Sequence, residues 1–526
     1  MSNNKKDILE YLQCMVSTET PTPPRIVNDM LDLIPKSIWE DDSATVLCPA
    51  CKDGIFLREA ALRMLRAKYE HMNPTEFRLK QELILKHILQ HRLFGIAVSY
   101  RGYRVTKRTL YTCNDKFEDI DNIFFDESLG RYVKDKDGAE IEKQCFHFIE
   151  NQKEVAQFFE SKGVKDMYFD VIIGNPPYQL MYGTPGKNAF KSKPIYQDFI
   201  TQAIALNPGY ISMIVPDKWT FGTKELESFK QEFINDVRIE EYFDFINSDK
   251  IFPNVTIVGT CYFLWNKNKT DKNVKIHTYE DLDTKLEDSC RPLNNGSGTF
   301  SRLALGDDIL KKCRTPHSMS ERVTGWAVFG VSGSLIKDKD KEENKFFHKE
   351  DKANTIPIYS LNHEKDGTRF RWYFVDKKAP FLRLDNLEKW KLIFPKTMAA
   401  SIYRRTDIVA PDKIFTDTWL NVFCDSEQEC KNLDTYFKTD LFRYLLNLRC
   451  ANQNVYRQVY ELVPDLSDVK NPRTGKVGWK SDWTDADLKQ LFDLTEEEMK
   501  YIKEQVSAAD NGKDSVETPL ETEEDE

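Results

Sequence analysis

From Phe169 to Leu180 the chain reads FDVIIGNPPYQL. Its two consecutive prolines forbid most continuations. Each lacks a backbone donor and fixes φ, so neither belongs inside a helix or a central strand. The apolar run before them is therefore a short buried strand that ends near Gly174. The prolines also hold Asn175 extended, because the residue before proline avoids the helical region. What leaves the strand is a stiff loop that fixes one amide side chain, Asn175, and one aromatic ring, Tyr178.

The surrounding pattern says what kind of sheet this strand enters. TPTPPRIVNDMLDLIPK (20–36) predicts a proline turn and a short amphipathic helix with Ile26, Met30, Leu31 and Ile34 on one face. TVLCPAC predicts a strand ending at Pro49, and IFLREAALRMLRAKYEHM a helix. FRLKQELILKHILQ then leads to the strand LFGIAVSY, while residues 112–166 read as irregular. The NPPY strand is followed by a helix in PIYQDFITQAIAL and a strand in YISMIVPDKW. IFPNVTIVGTCYFLW, from Ile251 to Trp265, reads as two β runs around a glycine. Alternating strands and helices predict a doubly wound, Rossmann-like α/β domain over residues 1–265. Residues 266–300, rich in Asn, Lys, Asp and Gly, read as a linker. Residues 301–508 predict a second, α+β domain, and 509–526 a disordered acidic tail.

In such sheets ligands sit at the carboxyl ends of strands, which is where NPPY lies. An asparagine amide offers one acceptor oxygen and two donor hydrogens. The Asn175 oxygen and the Pro176 carbonyl can each accept one hydrogen of an exocyclic amine such as N6 of adenine. That favours a more tetrahedral nitrogen with its lone pair freed. Tyr178 can stack on the base, and Pro177 completes the stiff loop. A base in this position must have left its duplex.

The strand–turn–helix VLCPACKDGIFL brings backbone amides toward a ligand through small residues, Ala50 and Gly54. A redox Cys-x-x-Cys and half of a zinc site are alternative readings of CPAC. Cys51 is most simply a small buried hydrophobe.

Net charge is −10, but the last 18 residues carry eight acids and one lysine, so the body is −3. Lys377 to Lys413 holds nine basic and four acidic residues, a local +5 suited to phosphates. No apolar run reaches the ~18 residues of a membrane helix. Eleven scattered cysteines fit the reduced thiols of a cytoplasm.

Taken in order, PTPPRIVNDMLDLI, CPACKDGIFL and NPPY resemble the S-adenosylmethionine-dependent, amino-methylating DNA methyltransferases of restriction-modification systems, in their gamma motif order. The resemblance implies adenine-N6 methylation, with Asn175, Pro176, Pro177 and Tyr178 as the catalytic tetrad. It also implies a cofactor site from Thr22, Pro23, Cys48, Ala50, Asp53, Gly54, Phe56, Gly95, Ile96 and Asn175, and a role for Phe252 in holding the flipped base. Cys48 stands where the family has Asp, and Lys52 where it has its first Gly. The strand FGIAVSYRG lacks the acid that bonds the ribose. These departures predict weakened cofactor binding. The second domain suits a polymeric substrate, double-stranded DNA, with Arg369, Arg371, Trp372, Lys396, Arg404 and Arg405 as contacts. With no nuclease signature evident, a separate nuclease or helicase subunit is the implied partner. Two rivals stay open: a DNA-reading subunit with degenerate cofactor binding, and a protein glutamine methyltransferase.

Overall fold

The computed structural model describes residues 20–510, except 112–116, 118–119, 127–130, 135–139, 183–190, 223–224, 254–258, 339, 350–352, 363–367, 397–404 and 450–454. Arg404 and residues 511–526 of the expected acidic tail thus lie outside the described residues. The chain divides into two compact units, one running to Leu293 and one beginning at Asn294.

The first unit opens with helices α1 (Pro24–Asp32) and α2 (Lys36–Glu40). Pro24 starts α1, where its missing N–H has no partner to lose. Ile26, Val27, Met30 and Leu31 of α1 are fully buried, each stabilising by roughly 1.5–3 kcal/mol. Then follow β1 (Val46–Cys48), α3 (Ile55–His71), α4 (Pro74–His91), β2 (Leu93–Ile96), α5 (Tyr100–Tyr111) and β3 (Ile123–Phe124). The stretch read as irregular also contains a hairpin of β4 (Arg131–Lys134) and β5 (Glu140–Gln144) and two helices, His147–Glu150 and Gln152–Ser161. Its elements are short, so no sustained period marks them in the sequence.

The NPPY strand is β6 (Val171–Gly174), followed by the hairpin of β7 (Gln179–Tyr182) and β8 (Lys191–Pro194). The helix Tyr196–Ala205 leads to β9 (Tyr210–Pro216), and the unit continues through β10 (Ile239–Phe245), β11 (Thr260–Asn266), β12 (Val274–Asp281) and β13 (Thr284–Arg291). Nine strands form one sheet in the order β13-β12-β10-β11-β9-β6-β1-β2-β3. From β9 to β3 all pairings are parallel, and β11 enters antiparallel between β9 and β10. β1 pairs with β2 on one side and β6 on the other, so the strand order reverses at β1/β6. That is the switch point at which ligands bind in open α/β sheets.

One expectation needs correction. Residues 266–300 do not form a linker: β12 and β13 extend the sheet, β12 pairing parallel to β10 and antiparallel to β13. Buried and exposed residues alternate along β12, so its outer face is polar and its composition imitates a loop. Of the two β runs read around Gly259, the second is β11. Ile251–Pro253 are turn residues, residues 254–258 lie outside the described set, and β11 starts at Thr260.

The second unit holds a four-stranded sheet, β14 (Phe347–His348), β16 (Phe370–Asp376), β15 (Thr355–Leu361) and β19 (Ile414–Phe415), in that spatial order. A three-stranded sheet places β17 (Trp390–Pro395) between β18 (Asp407–Val409) and β20 (Trp419–Cys424). Two helices follow, Glu427–Phe437 and Asp440–Asn447, the second capped by the Thr439 hydroxyl. The left-handed Asp493 ends the helix Asp485–Phe492, and Glu496–Asp510 follows it.

Candidate active site

The loop after β6 places Asn175 at 1% exposure. Its side-chain Nδ2 donates to the Thr22 hydroxyl at 3.0 Å and faces the Thr20 carbonyl at 3.4 Å. A carbonyl oxygen can only accept, so Thr20 fixes which way the amide points. Asn175 Oδ1 is left buried with no hydrogen-bond partner. An unpaired buried acceptor costs about 1–3 kcal/mol, which a ligand's N–H would recover.

Tyr178 lies beside it, its ring edge-on to Phe252 at 6.3 Å between centroids. Its hydroxyl is buried without a well-formed hydrogen bond. Burial raises the hydroxyl pKa far above the usual phenol range, so it stays neutral, with the nearby Asn175 side chain opposing the rise. Pro176 is buried and Pro177 half-buried, and the Tyr178 carbonyl accepts from Ile195 N at 3.1 Å, which anchors the far end of the loop.

The second segment is the turn after β1. Cys48 is fully buried, and a Cβ on Gly174 would stand 3.2 Å from its sulfur, so the two strand ends touch. Burial pushes the Cys48 thiol up to about 12, against a weaker pull from the Ala50 N–H. A thiol so held is not the thiolate that redox exchange needs. Ala50 is buried, and Cys51 N donates to the Ile96 carbonyl at 3.0 Å, tying the turn to β2.

Lys52 has φ of +41° and Gly54 +80°. The turn therefore needs the left-handed region at Lys52, where glycine is the easiest residue. The Lys52 ammonium reaches back to the Thr20 carbonyl at 3.0 Å and lies 5.7 Å from the centre of the Tyr178 ring. Asp53 accepts from Ile55 N at 3.2 Å, at the start of α3, and burial raises its pKa, with the Ile55 amide and Lys52 opposing.

Protein packs closely around several of the expected cofactor residues. A Cβ on Gly54 would meet Thr106 of α5 at 3.1 Å. A Cβ on Gly95 would meet Ile123 at 2.9 Å, Leu57 at 3.1 Å and Cys51 at 3.3 Å. Both glycines thus serve close packing. Phe56 and Ile96 are buried in the core around the turn, and Pro23 precedes α1. Ser99, after β2, receives the Gly102 N–H at 2.9 Å and so begins α5.

The second unit brings several basic and aromatic side chains together. The Arg405 guanidinium lies 4.1 Å from the centre of Phe370 and donates to the Tyr359 hydroxyl at 2.6 Å and to Asp407 at 3.0 Å. Trp372 packs on Tyr359 at 5.0 Å, and the exposed Arg369 lies over Phe370 at 5.5 Å. Arg371 alternates with Trp372 along β16, so it takes the face of the buried Tyr373 and Val375. Lys396 stands apart, flanked by Trp326 at 5.4 Å and Tyr456 at 5.8 Å. Those two rings, 63% and 49% exposed, escaped the sequence reading because each is a lone aromatic far from Lys396 in the chain.

Residues 91–252 match the family described as Eco57I restriction-modification methylase. An uncharacterized adenine-specific methylase of Mycoplasma pneumoniae is 30% identical over 359 residues, 59% of this chain and 83% of the relative. A protein of Methanocaldococcus jannaschii named as a type II restriction enzyme and methyltransferase is 22% identical over 311 residues, 54% of this chain but only 23% of its own length. Among solved structures, the DrdV–DNA complex aligns with 93% of this chain and 57% of its own, at 12% identity and a TM-score of 0.43.

Proposed function

The chain belongs to the adenine-specific methylases of restriction-modification systems, and on that footing we propose that it transfers a methyl group from S-adenosylmethionine to the N6 amine of a flipped-out adenine at a specific site in double-stranded DNA. The observation that carries the reading is the buried, unpartnered Asn175 Oδ1 at the end of β6. It is an acceptor waiting for an N–H donor, and the adenine amine supplies one. The Pro176 carbonyl takes the second hydrogen, and the Tyr178 ring packs on the base.

The cofactor supplies, when bound, an electrophilic methyl on a sulfonium sulfur. Methyl transfer to the amine would leave a neutral thioether on the cofactor and release the amine's extra proton to water. The chain's own part is orientation, which can account for much of the barrier reduction. Cofactor contact falls to Cys48, Ala50 and Asp53 of the turn after β1, and to Thr22 and Pro23. The donor set fits a ligand with an amino group and a cationic centre, since Asn175 Oδ1 and the neutral Tyr178 ring both favour such groups. In the second unit, Arg369, Trp372, Lys396 and Arg405 are proposed to meet the DNA. A nuclease or helicase subunit is the proposed partner in restriction.

Incubation with DNA and labelled S-adenosylmethionine, followed by nucleoside mass spectrometry, tests the reading. N6-methyladenine is the expected product. Label in protein glutamine, or DNA binding with no cofactor binding at all, would replace it with one of the two rivals.

A further inference from the structure

Lys52 is the odd residue of the site. It occupies a left-handed backbone position, φ +41°, that glycine would fill without strain. Non-glycine residues in such conformations cost of order 1 kcal/mol and persist where the surroundings over-determine them. Here its side chain turns inward to the Thr20 carbonyl, 3.0 Å away, and the Tyr178 ring, 5.7 Å away. The same Thr20 carbonyl faces Asn175 Nδ2 at 3.4 Å. One oxygen, with its two lone pairs, thus lies between the ammonium and the amide.

We propose that Lys52 is a positioning residue for Asn175, acting through the Thr20 carbonyl. The ammonium pins the Thr20–Thr22 segment over the loop. Pinned there, the segment engages the Asn175 NH₂ group through the Thr20 carbonyl and the Thr22 hydroxyl. The amide cannot flip, and Oδ1 stays turned toward the amine it must receive. The contact with Tyr178 holds that ring on the same side. A residue that reads in the sequence as damage to the cofactor turn is, in this arrangement, what keeps the acceptor oriented. The proposal rests on the adenine methylase reading only for its effect on turnover; the amide arrangement is testable without it.

Three variants separate the possibilities. Lys52→Met removes the ammonium and keeps the chain length. Lys52→Arg keeps a charge. Lys52→Gly removes the ammonium while relieving the backbone, so a purely conformational role predicts that it improves the protein. Selective ¹⁵N labelling of asparagine, with the Asn175 side-chain signals assigned through Asn175→Asp, reads the amide directly. Its hydrogens should exchange with solvent about 10-fold faster in both Lys52→Met and Lys52→Gly, and return toward the native rate in Lys52→Arg. In the methylation assay kcat should fall about 10-fold in the first two, while calorimetric binding of S-adenosylhomocysteine changes less than about 3-fold.

Unchanged amide exchange in Lys52→Gly would overturn the proposal. So would a loss of S-adenosylhomocysteine affinity matching the loss of kcat while 5′-methylthioadenosine, which lacks the carboxylate, still binds normally. Lys52 would then be a cofactor-carboxylate ligand. A native protein that methylates no DNA, yet shows the Lys52-dependent exchange, would sink the adenine reading and leave this one standing.

Discussion

The side-chain amide of Asn175 donates to the hydroxyl of Thr22 at 3.0 Å, across 153 residues of sequence, and so presents its oxygen without a partner. Removing the donor's anchor and removing the acceptor itself should have different consequences. Thr22→Val keeps the shape but takes away one acceptor, worth about 1 kcal/mol, and should slow transfer about 5-fold. Asn175→Ala removes a preorganised acceptor and should cost about 100-fold or more in kcat, with cofactor affinity nearly intact. Steady-state kinetics beside calorimetry reads both. Equal losses in kcat for the two variants would mean that Thr22 contacts the reacting base itself.

Thiol chemistry offers a quick check on the turn after β1. Cys48 and Cys51 are buried, and the Cys48 thiol is pushed up to about 12, whereas Cys290 is exposed on β13. Iodoacetamide at pH 8 should alkylate Cys290 well before either turn cysteine, as read by peptide mass spectrometry. Rapid modification of Cys48 would revive the redox reading.

The carboxylate missing at Cys48 can be restored. Cys48→Asp places a carboxylate beside Gly174 in a fully buried setting, so it should lower the melting temperature of the free protein. Added S-adenosylmethionine should recover more of that loss than it adds to the native protein, because a cationic ligand gives the new carboxylate a partner. Thermal shift measurements with and without cofactor test this; an equal shift for both proteins would count against Cys48 as a cofactor contact.

The outer hairpin carries a pH signature. His277 of β12 sits between Glu241 of β10 and Asp288 of β13, with Nδ1 2.6 Å from the Asp288 carboxylate. Glu241 and Asp288 raise the His277 pKa, so its contribution is full below the unfolded value of about 6.5 and fades as pH rises through the higher folded value. The Glu241 carboxyl is lowered to about 2, chiefly by His277, so its share is present above ~4.5 and fades as pH falls toward 2. The hairpin should be best held between about pH 4.5 and 6.5. Hydrogen exchange, corrected for intrinsic rates, should show β12 and β13 amides losing protection from pH 6 to 8.5, by less than ~1 kcal/mol for so exposed a cluster. His277→Gln should flatten that dependence.

Arg405 is held by Tyr359, Asp407 and Phe370, so its guanidinium is ordered before any phosphate arrives. Arg405→Gln and Lys396→Gln should each weaken DNA binding about 3- to 10-fold and reduce the slope of log affinity against log salt by about 1. Affinity titrations at several salt concentrations decide it, and an unchanged slope would remove that residue from the interface.

Local rules were enough to read the backbone around the candidate site. Two prolines end β6 wherever it is placed, small residues turn the chain after Cys48, and the apolar stripe of α1 shows in its spacing. What escaped depends on distance or on edges. The link from Lys52 to Thr20 spans 32 residues and that from Asn175 to Thr20 spans 155, and no periodicity encodes either. β12 and β13 were hidden because an edge hairpin with one wet face has the composition of a loop. Gly95 shows the same limit, since the close packing of Ile123 and Leu57 around it has no trace in the local sequence.

The adjacency of β1 and β6 also governs when this protein can first exist as a functional object. Thr45 N, just before β1, donates to the Asp170 carboxylate, just before β6, at 2.8 Å across 125 residues. During synthesis at about 5–20 residues per second, β1 waits some 6–25 s for that neighbour to be made. Until then β1 has β2 alone at its side, and neither half of the site has its counterpart. Until β6 is made, the turn after β1 has no Asn175 beside it, and the proposed site cannot assemble.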